Sequence, residues 1–355
     1  MGKSGLMDRL GLKWPLIQAP MAGVASPALA AEVSRAGGLG SMGLCAMSVD
    51  QARAAIREAR ELGATPLNVN FFCHRPATAR PKAEADLIAR MTPLLQEWGA
   101  EPPAGLGEIF ISLHENPDMV AMLLEERPEV ISFHFGYPAP AVLRALKETG
   151  AVLLASATSL EEGLALQVAG LDGVVAQGIE AGGHRGIFDP DGPDAKLTCL
   201  SLTQLLAARL DIPVIAAGGI MNGGGIAAAL AVGAELAQLG TAFISCPESL
   251  ADDAYRQALI GAPGMNTQLT PAVSGRPARC VDNALVQWTR SQGEVDLPDY
   301  PMVYDATKTL IAAAKAAGQP GYAAQWAGQG ATRARAMSAG ELMQLLRREL
   351  AEAAA

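Results

Sequence analysis

The sequence predicts a TIM (β/α)8 barrel with an inserted segment and a C-terminal extension. Three observations predict it. Short apolar runs alternate with longer Ala/Leu-rich stretches of helical spacing, eight such runs occur before residue 245, and polar or glycine residues recur where the runs end. An open doubly wound sheet fits less well. GLGSMG at 38–43 is too short for the dinucleotide glycine pattern and has no acidic partner at the expected distance.

PLIQAPM (15–21) is the first expected strand, and Ser26 and Pro27 then supply a cap and a first-turn proline for a helix to about residue 36. The second strand is 38–43, and a helix over 48–62 leads to the third, PLNVNFF (66–72). Residues 73–112 are proline-rich and irregular, with a helix in the middle. A regular alternation follows: helix 116–127, strand 130–135, helix 139–149, strand 151–157, helix 159–169 and strand 173–178. After a polar loop come helix 201–210, strand 213–219, helix 225–232 and an eighth strand over 235–243. Residues 248–260 read as the closing helix of a barrel spanning 1–260. Residues 261–355 form a loop-rich extension whose clearest helices are 300–316 and 338–349.

The composition is that of a well-buried enzyme: 50% of the 355 residues are hydrophobic and 18% are charged, which argues against disorder. A net charge of -9 with no basic patch offers no general attraction for nucleic acid or an anionic membrane. No apolar stretch reaches membrane-spanning length, and the first 20 residues hold no sustained signal-like segment. Cys45, Cys73, Cys199, Cys246 and Cys280 are widely spaced without a CxxC pair. That pattern favours free thiols in a reducing compartment, hence an expected cytoplasmic location.

In a barrel, the carboxyl ends of the strands converge on one active face. Gln18, Met21, Asn68, Asn70, His134, Gln177, Gly218 and Gly219 occupy such ends. Left unpaired, each buried polar group would cost about 1–3 kcal/mol, so their recurrence points to a site. GGIMNGGG (218–225) and GTAFIS (240–245) follow the seventh and eighth strands, where barrels commonly hold phosphate on exposed backbone N–H groups. Tight glycine turns are the simpler alternative, and the Lys-Ser/Thr ending of a nucleotide phosphate loop is missing.

Of the four histidines, His114 reads as structural, His74 as a loop or lid residue, and His134 as either a core hydrogen-bonding group or a substrate contact. His184 stands between paired glycines with no apolar helix face to bury it, and its ordinary pKa suits proton transfer or charge stabilisation. Neither HExxH nor GxSxG occurs, and no zinc constellation is recognisable. A redox cofactor would explain catalysis with so few reactive side chains.

QAPMAG (18–23), Asn70 after the third-strand valine, SFHFG (132–136), QGIEAGGHRG (177–186), AAGGI (216–220) and GTAF (240–243) together resemble the nitronate monooxygenase family, formerly 2-nitropropane dioxygenases, over nearly the whole chain. The resemblance implies noncovalent FMN, with its phosphate on Gly218, Gly219, Gly240 and Thr241. It implies further cofactor contacts from Gln18, Met21, Ala22, Asn70, Gln177, Gly182 and Gly183, with Gln329 and Gly330 approaching FMN from the extension. His184 is then the catalytic residue. The implied reaction oxidises an alkyl nitronate such as propionate 3-nitronate with molecular oxygen, through a flavin semiquinone and a substrate radical.

Tyr300, Tyr304 and Lys308 are spaced by four, which puts them on nearly one side of a helix. Such a pattern also suits tyrosines that only pack. The resemblance, to the first class of the family, implies that they close the substrate site with His134, Lys308 attracting an anionic nitronate. Two other readings share the barrel and the phosphate site: an FMN-dependent NAD(P)H quinone or enoyl reductase, and a catalytically silent FMN-binding protein.

Overall fold

The computed structural model describes residues 5–354. Eight parallel strands make the barrel: β1 (Leu16–Gln18), β2 (Gly40–Gly43), β3 (Leu67–Phe72), β4 (Val130–His134), β5 (Val152–Ala157), β6 (Gly173–Gln177), then, after the two-residue β7 (Gly183–His184), β8 (Val214–Ala217) and β9 (Leu236–Leu239). The sheet order β1-β9-β8-β6-β5-β4-β3-β2 is closed by a parallel bridge from Ile17 to Leu39. The eight-stranded barrel read from the alternation is therefore present.

Period-two alternation along the strands sets what the barrel contains. Ile17, Val130, Leu154, Val175, Ile215 and Leu236 pack together in the lower interior. The helix Leu6–Arg9 closes the bottom by adding Leu6 to that cluster. Residues of the same register nearer the strand ends are polar: Ser132 and His134 above Val130, Ser156 above Leu154, Gln177 above Val175 and Gln238 above Leu236. The intervening residues, such as Ile131, Phe133, Leu153 and Val174, bury against the surrounding helices.

Local chemistry starts those helices as expected. Ser26 Oγ accepts from the Leu29 N–H with Pro27 in the first turn, and Ser48 forms a capping box with Gln51. Among the boundaries that differ from the sequence reading, three show what sets them. The eighth barrel strand stops at Leu239, because Gly240 turns the chain and Thr241–Ile244 coil into a short helix with Phe243 N–H on the Gly240 carbonyl. The closing helix begins only at Asp253, capped by Asp252. The helix after β8 starts at Gly223, two residues before the expected start, and a side chain there would strike the backbone of Leu350 2.2 Å away. Glycine is kept in that first turn by the close crossing of the helix Ala339–Ala353.

The insertion holds the expected helix, Pro81–Glu97, which packs against Met302–Ala316 of the extension through Leu87, Met91, Val303 and Leu310. The largest departure lies in the extension. Residues 267–281, read as loop, contain β10 (Thr267–Thr270) and β11 (Ala278–Val281), and β11 pairs antiparallel with β7. The long-range partner, not a local pattern, makes these strands. Tyr300 also lies before its helix, which begins at Met302, so the three residues spaced by four do not share one helix.

No helix among the described residues is long and apolar enough to cross a membrane. At Gly40 an added Cβ would lie 2.0 Å from the Ala30 carbonyl, so the helix Pro27–Arg35 rests directly on the strand backbone. Gly40→Ala is expected to cost about 1–3 kcal/mol by overpacking, read as a lower urea midpoint at unchanged slope.

Candidate active site

A cavity of about 320 Å3 opens at the carboxyl ends of the barrel strands. Its floor carries the upper polar layer, Asn70, Ser132, His134, Ser156 and Gln177, and its walls include Met21, Ala22, Tyr304, Lys308 and Trp326. His184 reaches this cavity from β7, and its position is held mainly through its backbone. The His184 carbonyl accepts from Gln177 Nε2 at 2.9 Å and from His134 Nε2 at 3.0 Å. Gln177 Oε1 takes the Gly186 N–H at 2.7 Å, so one amide side chain grips the loop twice. Arg185, buried, ties the same loop to Asp194 at 2.8 and 2.9 Å and to the Gln177 carbonyl.

The glycines before His184 have separate reasons. Gly183 has φ +75°, in the left-handed region that favours glycine. Gly182 lies against the 327–328 backbone, and a Cβ there would come within 2.5 Å of the Gly328 nitrogen. The loop can therefore dock on the extension, where Gly328 N–H bonds Thr241 Oγ1 at 3.0 Å.

Proton placement follows from the partners. A carbonyl only accepts, so His134 carries its proton on Nε2 and its Nδ1 accepts from Ser156 Oγ at 2.9 Å. Ser274 Oγ donates to the Arg276 carbonyl at 3.1 Å, which spends its one proton. His184 Nε2, 2.9 Å from the same oxygen, is then the donor, and the free lone pair is on Nδ1. The His184 ring is half-buried among aromatic rings, with Trp326 at 5.0 Å, Tyr300 at 5.5 Å, Phe135 at 5.7 Å and Phe72 at 6.2 Å between centroids.

Burial in this wall pushes the His184 pKa down to about 3, with the His134, Arg276 and His74 charges adding to the effect. His134 and His74 are each lowered to about 4, again chiefly by desolvation. Arg276 is itself buried, stacks 4.2 Å from the Phe135 ring centroid and donates to the Ile187 and Phe188 carbonyls.

The predicted phosphate residues lie together at the other side of the cavity. Gly218 and Gly219 have φ +129° and +70°, and both line the cavity with Gly240 and Thr241. The N–H groups of Gly219, Gly240 and Thr241 find no acceptor among the described residues. Such a cluster of open donors suits an anion.

Not every expected residue reaches the cavity. Gln18 is fully buried beneath it, accepting from the Ser41 N–H at 3.0 Å, and belongs to a lower polar layer with Asn68, which bonds Ser41 Oγ. Gln329 has an exposed side chain and contributes its N–H to the Glu180 carbonyl, while its neighbours Gly328 and Gly330 line the cavity. Tyr300 is buried behind His184, edge-on to His74 at 5.0 Å, and is not a cavity wall, unlike Tyr304 and Lys308. His114 is structural, its Nε2 3.2 Å from the Cys73 carbonyl. Sequence reasoning missed Ser274, Arg276 and Trp326. SGRPAR at 274–279 carries no local sign of its long-range pairing with β7. No group of His, Cys, Asp and Glu side chains among the described residues could hold a metal ion.

Residues 3–349 match the sequence profile of the nitronate monooxygenase family. The chain belongs to the nitronate monooxygenase family. It is 52% identical over 349 residues to nitronate monooxygenase from Paraburkholderia phytofirmans, covering 98% of this chain and 95% of that one. It is likewise 52% identical to nitronate monooxygenase from Pseudomonas aeruginosa over 341 residues, covering 96% and 97%. Among solved structures, nitroalkane oxidase from Streptomyces ansochromogenes superposes with a TM-score of 0.90 at 39% identity, covering 99% of each chain. FabK from Thermotoga maritima gives 0.73 at 29% identity, covering 98% and 96%. The chain is thus an enzyme of the nitronate monooxygenase type, and the resemblance read from its motifs holds over their full order.

These three histidines have a consequence for acid stability. Unfolded, each binds a proton near pH 6.5, whereas the folded protein resists until about 4, 4 and 3. Between those values the unfolded chain holds more protons, so stability is complete above about pH 6.5 and falls as the pH drops. Urea midpoints measured from pH 7 to 4.5 should decline, and His134→Gln should flatten the decline by removing one of the three sites.

Proposed function

We propose that this chain binds FMN and uses it to oxidise alkyl nitronates, propionate 3-nitronate among them, with molecular oxygen as co-substrate. The observation that carries the reading is a neutral His184 with its Nδ1 lone pair free, set in an aromatic wall of the same cavity that the open N–H groups of Gly219, Gly240 and Thr241 line. The open donors and the positive φ of Gly218 and Gly219 fit the phosphate of FMN, since a side chain at these glycines would hold an anion away. Met21, Ala22, Asn70, Gln177, Gly182, Gly183 and Gly330 would hold the remainder of the cofactor. When bound, FMN supplies the electron acceptor that no side chain here can provide.

The protein's own groups handle the proton and the charge. With a neutral nitroalkane, His184 takes the α-proton on Nδ1 while Nε2–H stays on Ser274, which keeps the ring oriented. The imidazolium forms beside the new nitronate anion, and their attraction in a poorly solvated wall offsets the cost of charging a buried histidine. A substrate that arrives already deprotonated meets an uncharged His184, so the lasting positive charge must come from elsewhere. We assign this role to Lys308. Its Nζ lies 5.1 Å from the Phe110 ring centroid and 5.8 Å from that of Tyr304 at the solvent-facing part of the cavity, where it attracts the nitronate or a distal carboxylate. Phe72, Tyr304 and Trp326 keep water from the reacting carbon. We assign the extension, through Tyr304, Lys308 and Trp326, the role of closing the substrate site, and His134 and Tyr300 the role of supporting His184 from behind.

Anaerobic mixing of the FMN-loaded protein with propionate 3-nitronate should bleach the flavin rapidly, with little reduction by NADH or NADPH. Rapid reduction by a nicotinamide alone would favour a reductase, and no reduction by either would leave a binding protein. His184→Asn should lower neutral nitroalkane turnover by about 10²- to 10⁴-fold while sparing preformed nitronate. Ser274→Ala should lower nitroalkane kcat about tenfold with KM unchanged, the size expected for losing one orienting hydrogen bond.

A further inference from the structure

A second cavity, of about 360 Å3, adjoins the first. The two share Cys45, Ala46 and Phe72 as a common wall. The segment after the insertion helix completes the partition by simple alternation: Phe110 faces the candidate active site, while Ile109 and Ile111 on either side of it line the second cavity. Met47, Val49, Phe71, Leu113 and Met119 form most of the remaining lining.

Two polar side chains line this second cavity, and each spends its oxygen on a helix cap. Ser48 Oγ accepts from the Gln51 N–H and Asn116 Oδ1 from the Met119 N–H, each as a helix cap. Cys45 is held as a neutral thiol by burial, its pKa pushed up to about 12. Apart from Ser48, Asn116 and this thiol, the lining side chains are apolar. An aliphatic chain finds isoleucine, methionine, valine and leucine in a space that shares a wall with the reaction site.

We propose that this second cavity is a tail site, which takes the alkyl chain of a substrate whose anionic head lies between His184 and Lys308. The proposal rests on the nitronate reading for the identity of the head group, and assigns to this chain a preference for longer, unbranched alkyl groups. Phe72 is the gate, since its ring forms part of both cavities.

The test uses the FMN-loaded protein and two kinds of probe. Calorimetry with butyrate and octanoate, planar carboxylate stand-ins for the nitronate head, reads tail binding without turnover. Octanoate should bind more tightly, by up to about fourfold for each added methylene that is buried. Met47→Trp and Ile109→Trp, at partly buried positions lining only the second cavity, should each fill it. Octanoate should then lose about tenfold or more of its affinity while butyrate keeps its own, given that several methylenes are expelled. Turnover of ethyl and octyl nitronates should follow the same pattern through KM. Octanoate binding no tighter than butyrate in the native protein, or octanoate affinity unchanged in both variants when they melt like the native protein, would overturn the tail site. Tail binding that responds to the tryptophans without oxidation of any nitronate would instead overturn the functional reading and leave the tail site standing.

Discussion

Much of the site hangs on the main-chain carbonyl of His184. Two strand-end side chains, Gln177 and His134, donate to that oxygen from neighbouring parts of the barrel floor. One residue on, the Arg185 N–H reaches the Pro277 carbonyl at 2.8 Å, where the extension runs antiparallel to β7. The His184 ring is thereby fixed by the rigid barrel on one side and by the extension on the other. A loop of this kind with a free backbone would carry unsatisfied polar groups and a wandering imidazole.

The same arrangement explains why the histidine is neutral. Anchoring by the backbone leaves the ring free to sit against Phe135, Tyr300 and Trp326, and it is this apolar contact that drives its pKa down, with the nearby Arg276 guanidinium contributing. In the reaction we propose, a neutral imidazole with a defined tautomer would accept a proton from carbon and pair at once with the anion it creates. A permanently charged one would bind a nitronate but could not form it. Phe135 shows what the geometry costs: it is held at φ +70°, unusual for a bulky residue, between the Arg276 guanidinium and the edge of His184.

The barrel divides its interior by height. Valine, leucine and isoleucine at the lower register stabilise the closed sheet, and the polar residues two positions further along each strand are paired with one another: Asn70 with Ser132, His134 with Ser156. Their burial is tolerable because each finds a partner across neighbouring strands. Gln18 and Asn68 make a similar but deeper pair of contacts to Ser41, which is why they support the floor rather than face the cavity.

The sequence by itself determined the barrel and its strand order, because those rest on local periodicity, and its paired glycines singled out the strand ends and the loop of His184 as candidates. Helix starts were legible at Ser26 and Ser48, where capping is a matter of adjacent residues. It could not show that Thr241 begins a helix turn, that Tyr300 stands outside its helix, or that residues 267–281 are strands. Those outcomes depend on partners far away in the chain: β11 is a strand because β7 and β10 pair with it, and Gly223 enters a helix because Leu350 crosses there. Only the tertiary structure brought Ser274 to His184, across 90 residues, and so decided which nitrogen of that ring carries its proton.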